Sequence, residues 1–171
     1  MAKNPKRFLI KVSGEALMGS EKFGLDPLTL ARIAADIAEA SKTREIAVVV
    51  GGGNIFRGLQ GSKQGVERNT GDSMGRLATI INALALADAV RGAGAKAVAL
   101  TADPMPSLCR VYYQPDADRL LSEGHVVVLG GGTGQPFFTT DTAAALRAAE
   151  LDCAAILKAT TVDGVYTADP K

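Results

Sequence analysis

Short runs of apolar, often β-branched residues alternate along this chain with longer stretches in which apolar positions recur every three or four residues. Residues 8–12, 46–50, 97–100, 125–129 and 153–158 read as strands. Between them the spacing predicts helices over residues 27–41, 72–91, 115–123 and 142–150. In the first helix Leu30, Ile33, Ala34, Ile37 and Ala38 fall on one stripe; in the second Met74, Leu77, Ala78, Ile81, Leu84 and Ala85 share a face; in the third Leu120 and Leu121 point inward. Asp26 before Pro27 is an N-cap followed by proline at N1, and Gly124 is a stop. Asp103-Pro104-Met105-Pro106 breaks regular structure, and residues 160–171, with Asp163-Gly164 between β-prone runs, read as a hairpin. Strands alternating with helices imply an α/β fold: a largely parallel sheet sandwiched between helices, with right-handed crossovers, in one domain over residues 1–171.

Two of the strands run into glycine. Gly51-Gly52-Gly53 is followed by Asn54-Ile55-Phe56-Arg57, and Gly130-Gly131-Gly132 by Thr133-Gly134-Gln135-Pro136-Phe137-Phe138-Thr139-Thr140-Asp141. Strand, glycine loop and helix start together expose backbone N–H groups at the positive end of a helix dipole, which suits an anion. A single loop of this kind is equally a plain turn; a second copy favours a ligand with several phosphates. Thr139, Thr140 or Asp141 can cap the helix that follows. Lys11 ends the first strand and Lys158 the fifth. A lysine in a buried parallel strand is costly unless it emerges at the carboxyl edge, where α/β proteins place ligands. Lys11 is therefore a candidate phosphate ligand, the alternative being a solvent-facing lysine on an edge strand. Arg57 is either a phosphate ligand or a surface charge. Asp72 is either a helix cap or a ligand, and Asp141 either a cap or, like Asp169, a group that orients lysines or binds magnesium-bound water.

Other chemistries find no support. Gly92-Ala93-Gly94-Ala95-Lys96-Ala97 fits a dinucleotide fingerprint by letter, but it follows a helix and precedes a strand, the reverse of what that site requires. There is no P-loop, H-E-x-x-H or G-x-S-x-G signature, and His125, the only histidine, has no partners for catalysis and reads as structural. Phosphoryl transfer asks the protein mainly for positioned reactants and positive charge, which lysine, arginine and loop amides can supply.

Composition narrows the picture further. With 19 basic and 18 acidic residues the net charge is +1, so nothing attracts nucleic acid or anionic lipid in general and any anion site is local. Cys109 and Cys153 lack metal or redox spacing and read as reduced packing residues. The basic start is not followed by a signal h-region, and no stretch reads as a membrane span of about 20 apolar residues, so a cytoplasmic protein is expected.

Taken in order, residues 11–17, 51–58, 71–75, 132–141 and 158–166 resemble motifs of the bacterial UMP kinases of the amino acid kinase superfamily, and the resemblance covers nearly the whole chain. It implies an amino acid kinase-like αβα fold and ATP-dependent phosphorylation of UMP to UDP with Mg2+, in a homohexamer commonly activated by GTP and inhibited by UTP. Lys11, Val12, Ser13 and Gly14 then look like the ATP-phosphate loop, with Lys11 stabilising the transferred group. Gly53 and Arg57 face ATP phosphates. Gly52, Asp72, Thr133, Gly134, Gln135, Pro136, Phe137, Phe138, Thr139 and Thr140 resemble the UMP pocket, with Asp72 holding the ribose. Asp141 is similar to the aspartate that orients the catalytic lysine; Thr160, Tyr166 and Asp169 resemble the start of the adenine and ribose site; Gly19, Ser20, Glu21, Lys22, Phe23 and Gly24 resemble the GTP effector loop. The glycines at 130–132 and Thr161 are small departures. Members of the family continue beyond the Asp169-Pro170 region, so the C-terminal part of the nucleotide lobe is expected to be missing from these 171 residues, with ATP binding impaired if the polypeptide ends there. Other readings are a superfamily relative acting on a carboxylate or carbamate, and a nucleotide-binding module without catalysis.

Overall fold

A computed structural model describes residues 4–56 and 65–159. The strands are β1 (Asn4–Val12), β2 (Glu45–Val50), β3 (Ala97–Thr101), β4 (Arg110–Val111), β5 (Val126–Gly130) and β6 (Cys153–Ala159). The α-helices are α1 (Pro27–Ser41), α2 (Arg68–Gly92), α3 (Gln114–Ser122) and α4 (Thr140–Glu150), and a 3-10 turn spans Gly14–Leu17. The strands form one sheet in the order β4-β3-β5-β2-β1-β6, every pairing parallel. The predicted hairpin over residues 160–171 lies outside the described residues.

The order of crossovers fixes which helix covers which face. From β1 through α1 to β2, and from β2 through α2 to β3, the chain steps toward the β4 edge; through α3 and then α4 it steps back. Right-handed connections therefore put α1 and α2 on one face and α3 and α4 on the other. The two cores have this composition. Ile46, Val48 and Val50 pack with Ala34, Ile37, Leu86 and Val90, whereas Ala47 and Val49 pack with Leu120, Leu121, Ala143 and Ala144. Alternate residues of β2 thus feed opposite layers, which is why the strand reads as an unbroken apolar run. Arg7 ties the sheet to the α3 and α4 layer, donating to Glu45 at 2.7 Å, Asp118 at 2.6 Å and the Leu151 carbonyl at 2.8 Å.

Four expectations need correction. β4 arises where none was expected, a two-residue strand pairing Leu100 with Arg110 and Thr101 with Val111 just past the proline break. Too short to show a period, it is made by the free edge of β3. Next, α2 begins at Arg68, capped by Glu67, whose side chain accepts from Thr70 N–H at 3.2 Å, so Asp72 lies inside the helix and is not its cap. Finally, α2 turns a different face inward. Met74, Leu77 and Ile81 are exposed, while Ala78, Ile80, Ala83, Leu86, Ala87 and Val90 are buried. The helix is apolar on several sides, and the buried side is the one whose small residues and Asn82 allow the loop after β2 to approach closely. For the same reason α2, at 25 residues, is long and apolar enough to match a membrane span by length and composition, contrary to the sequence expectation; part of its apolar surface packs against the sheet.

Candidate active site

Strands β2 and β5 are neighbours, but the chain leaves β2 toward α2 and leaves β5 toward α4, on opposite faces. Such a reversal opens a crevice at the carboxyl ends of the strands. Two adjoining clefts lie there, sharing Gly52, Gly53 and Thr140. One is walled by Lys11, Ser13, Gly14, Glu15 and Gly51. The other is walled by Phe56, Asp72, Gly75, Arg76, Thr79, Gly132, Thr133, Gln135 and Phe138.

The first cleft depends on backbone packed directly on backbone. Gly51 N–H donates to the Val12 carbonyl at 2.9 Å, and a Cβ on Gly14 would lie 2.5 Å from Asn54 Oδ1 and 2.7 Å from Gly53 N. No side chain fits between the two loops, so glycine is required for their amides to share one concavity. Ser13 caps the 3-10 turn, accepting from Ala16 N–H at 3.2 Å. Behind the loops Asn82 donates to the Gly51 carbonyl and to Asn54 Oδ1, both at 2.7 Å, and Asn54 donates to the Gly24 carbonyl at 2.7 Å. These buried amides pin the glycine loop to α2 and to residue 24.

Beside the cleft, next to Lys11 and Thr140, stands a bridged carboxylate. Lys11 of β1 and Lys158 of β6 are register partners in the sheet, and both reach Asp141 of α4, at 3.0 and 2.9 Å. Burial raises the Asp141 pKa, but hydrogen bonds from Lys158 and Lys11 outweigh it and hold the carboxyl below the usual range. The cap of α4 is Thr139, whose hydroxyl accepts from Thr142 N–H at 3.2 Å; Asp141 is therefore not the cap, and its carboxylate is engaged by the two lysines. Among the described residues no group of three His, Cys, Asp or Glu could hold a metal ion.

In the second cleft Asp72 faces the loop after β5. Its carboxylate accepts from Phe137 N–H at 2.8 Å and from Arg68 Nε at 3.0 Å, while Arg68 stacks 5.4 Å over the Phe137 ring. Desolvation raises the Asp72 pKa, yet the Phe137 amide and Arg68 bring it below the ordinary range. Sequence reasoning overlooked Arg76 and left Lys158 unassigned. Both carried a signal: Arg76 lies four residues beyond Asp72 on the same helical face, and Lys158 ends its strand as Lys11 does. Of the residues singled out from sequence, those at 11–14, 52, 53, 72, 133–141 gather at this edge, residues 19–24 form an exposed loop beside it, and Arg57, Thr160, Tyr166 and Asp169 lie outside the described residues.

Comparison with known proteins agrees with this geometry. Residues 6–171 match the amino acid kinase family. The chain is 60% identical to a uridylate kinase of Azorhizobium caulinodans over 166 residues, which is 96% of this chain and 70% of the relative. It is 57% identical to a uridylate kinase of Bradyrhizobium sp. strain ORS 278, over 97% of this chain and 70% of the relative. The fold superposes on the crystal structure of UMP kinase from Ureaplasma parvum with a TM-score of 0.91 at 35% identity, covering 97% of this chain and 74% of that one. For UMP kinase from Bacillus anthracis the TM-score is 0.90 at 38% identity, covering 98% and 70%. The chain belongs to the amino acid kinase family, on its uridylate kinase branch.

Proposed function

We propose that the protein transfers a phosphoryl group from ATP to UMP, giving UDP and ADP. The observation that carries this reading is the pair of clefts joined at Gly52, Gly53 and Thr140, one lined by Lys11 and glycine-loop backbone, the other by Asp72 and the loop after β5. The donor phosphates occupy the first, against Lys11, Val12, Ser13, Gly14 and Gly53. UMP occupies the second, its ribose at Asp72 and the remainder against Gly52 and residues 133–140. A UMP phosphate oxygen then meets the terminal phosphorus of ATP where the clefts adjoin, and the bond from that phosphorus to the ADP oxygen breaks.

Positive charge at that junction lowers the barrier as negative charge spreads over the moving phosphoryl group. Lys11 supplies it, and Asp141 keeps the ammonium in place. The acceptor is a phosphate oxygen, ionised at neutral pH, so the reaction needs no general base. Mg2+ would be held by the ATP phosphates it commonly accompanies, where it would offset their negative charge, and not by Asp141, which is already engaged by two lysines. Arg57 would add a second cation, and Thr160, Tyr166 and Asp169 would contact the adenosine.

The same reading includes a homohexamer in the cytoplasm, GTP acting at residues 19–24 as activator and UTP as inhibitor. The exposed Met74, Leu77 and Ile81 on α2 support self-association, and the Asn54–Gly24 bonds give residues 19–24 a route to the glycine loop. No feature favours a carboxylate or carbamate acceptor, or a binding module without turnover. Calorimetric titration of UMP, with CMP and AMP as controls, tests the acceptor cleft: selective UMP binding is expected, and no binding by a protein whose circular dichroism shows it folded would overturn the assignment.

A further inference from the structure

The loop after β5 is held mainly from outside. Four of its residues, Gly131, Gly132, Gly134 and Phe137, have positive φ, and its internal bonds are few: Gly134 N–H to the Gly131 carbonyl at 3.0 Å, and the Thr133 hydroxyl with the Gln135 backbone. Its shape comes from α2. Gly131 N–H donates to Thr79 Oγ1 at 2.8 Å, Arg76 Nη1 donates to the Gly134 carbonyl at 2.6 Å, and Phe137 N–H donates to Asp72 Oδ2 at 2.8 Å. Residues 79, 76 and 72 lie on successive turns of one helical face, while 131, 134 and 137 follow at intervals of three along the loop. The loop therefore runs antiparallel to α2 on three polar rungs.

We propose that Arg76, the middle rung, is a positioning residue for acceptor binding: it holds the loop after β5 against α2 in the form that receives the nucleotide. This rests on the reading of the second cleft as the UMP site. Arg76 is the one rung in which a cation donates to a backbone carbonyl, and charge makes that bond stronger than its neutral neighbours. It also spans to a third element, Asp103 Oδ1 at 3.5 Å, in the segment against which the loop is packed; a Cβ on Gly131 would lie 2.9 Å from Ala102 N. The Arg76 side chain is only 24% exposed and its buried Nε has no partner among the described residues. Burial of a guanidinium with one donor unused costs stability locally, which fits a side chain kept for what it places. The middle rung matters most when the cleft fills. Asp72 shares its carboxylate between Phe137 N–H and Arg68, and a ribose hydroxyl drawing on that carboxylate weakens the Phe137 rung, leaving Arg76 and Thr79 to keep the loop closed.

Arg76→Met keeps the length of the stem and removes both bonds. The expected result is a KM for UMP raised about ten-fold, with kcat within about two-fold and KM for ATP unchanged, as befits the loss of one charged hydrogen bond. Hydrogen exchange of the peptide spanning residues 131–138 is expected to quicken by a similar factor in the protein without ligand. Asp103→Asn and Arg76→Lys, milder changes that also serve if Arg76→Met does not fold, should shift both readouts in the same direction by less. Unchanged exchange in this peptide, or a fall in kcat at unchanged KM, would overturn the proposal. Wild-type protein that phosphorylates no UMP would count against the acceptor reading alone, since the exchange comparison still decides what Arg76 does.

Discussion

Lys11 was legible as a site residue because a cation in an apolar parallel strand has so few acceptable positions; its side chain is 11% exposed and paired with Asp141. Asp72 and Asp141 were singled out only by the family resemblance; their own chemistry left them open, because a carboxylate near a helix start satisfies either a cap or a ligand and only three-dimensional partners separate the two. Replacing Lys11 with alanine is expected to lower kcat by about 10²–10³-fold, the usual cost of losing one group that stabilises transition-state charge. Calorimetry should find UMP affinity nearly unchanged, and normal turnover would refute the role given to Lys11. The carboxylates make a second prediction. Both Asp72 and Asp141 are held below the usual range in the folded protein. Each contributes stability that is complete above about pH 3.9 and is lost as pH falls through the lower folded value. Asp72→Asn should therefore flatten the loss of urea-unfolding free energy on acidification below about pH 4, and equal slopes for variant and wild type would contradict the Phe137 and Arg68 bonds.

Among the elements, α1 was the plainest, its cap, proline and buried stripe all given by periodicity and Asp26. α2 was the least plain, because its apolar residues occupy more than one side. What selects the buried side is the glycine loop after β2: a Cβ on Gly52 would lie 2.8 Å from Ala78 Cβ and 2.9 Å from the Gly75 carbonyl. Gly52→Ala should thus cost about 1–3 kcal/mol in urea unfolding, as overpacking does, and weaken UMP binding by shifting the shared wall of the two clefts. Gly75→Ala, whose Cβ meets nothing within 4 Å among the described residues, should be neutral or stabilise by about 0.5–1 kcal/mol. Equal costs at the two positions would mean that the loop is not seated on α2 as described.

For the whole molecule, the apolar residues that α2 leaves in solvent carry the remaining prediction. Met74, Leu77 and Ile81 recur every three or four residues, the spacing of a stripe that packs against another helix. Leu77→Glu combined with Ile81→Glu should reduce the assembly seen by sedimentation velocity while leaving the circular dichroism unchanged. An undiminished assembly would assign self-association to another surface.

The αβα class, the two glycine loops, Lys11 and the family are all readable from the residues alone, since each depends on local pattern or on residues whose burial is too costly to permit alternatives. Tertiary packing alone settled which face of α2 is buried, that β3 gains a short partner, that Lys158 joins Lys11 on Asp141, and that Arg76 anchors the loop after β5. Those outcomes depend on contacts between residues far apart in the chain, where packing and ion pairing choose among conformations that local sequence leaves nearly equal in free energy.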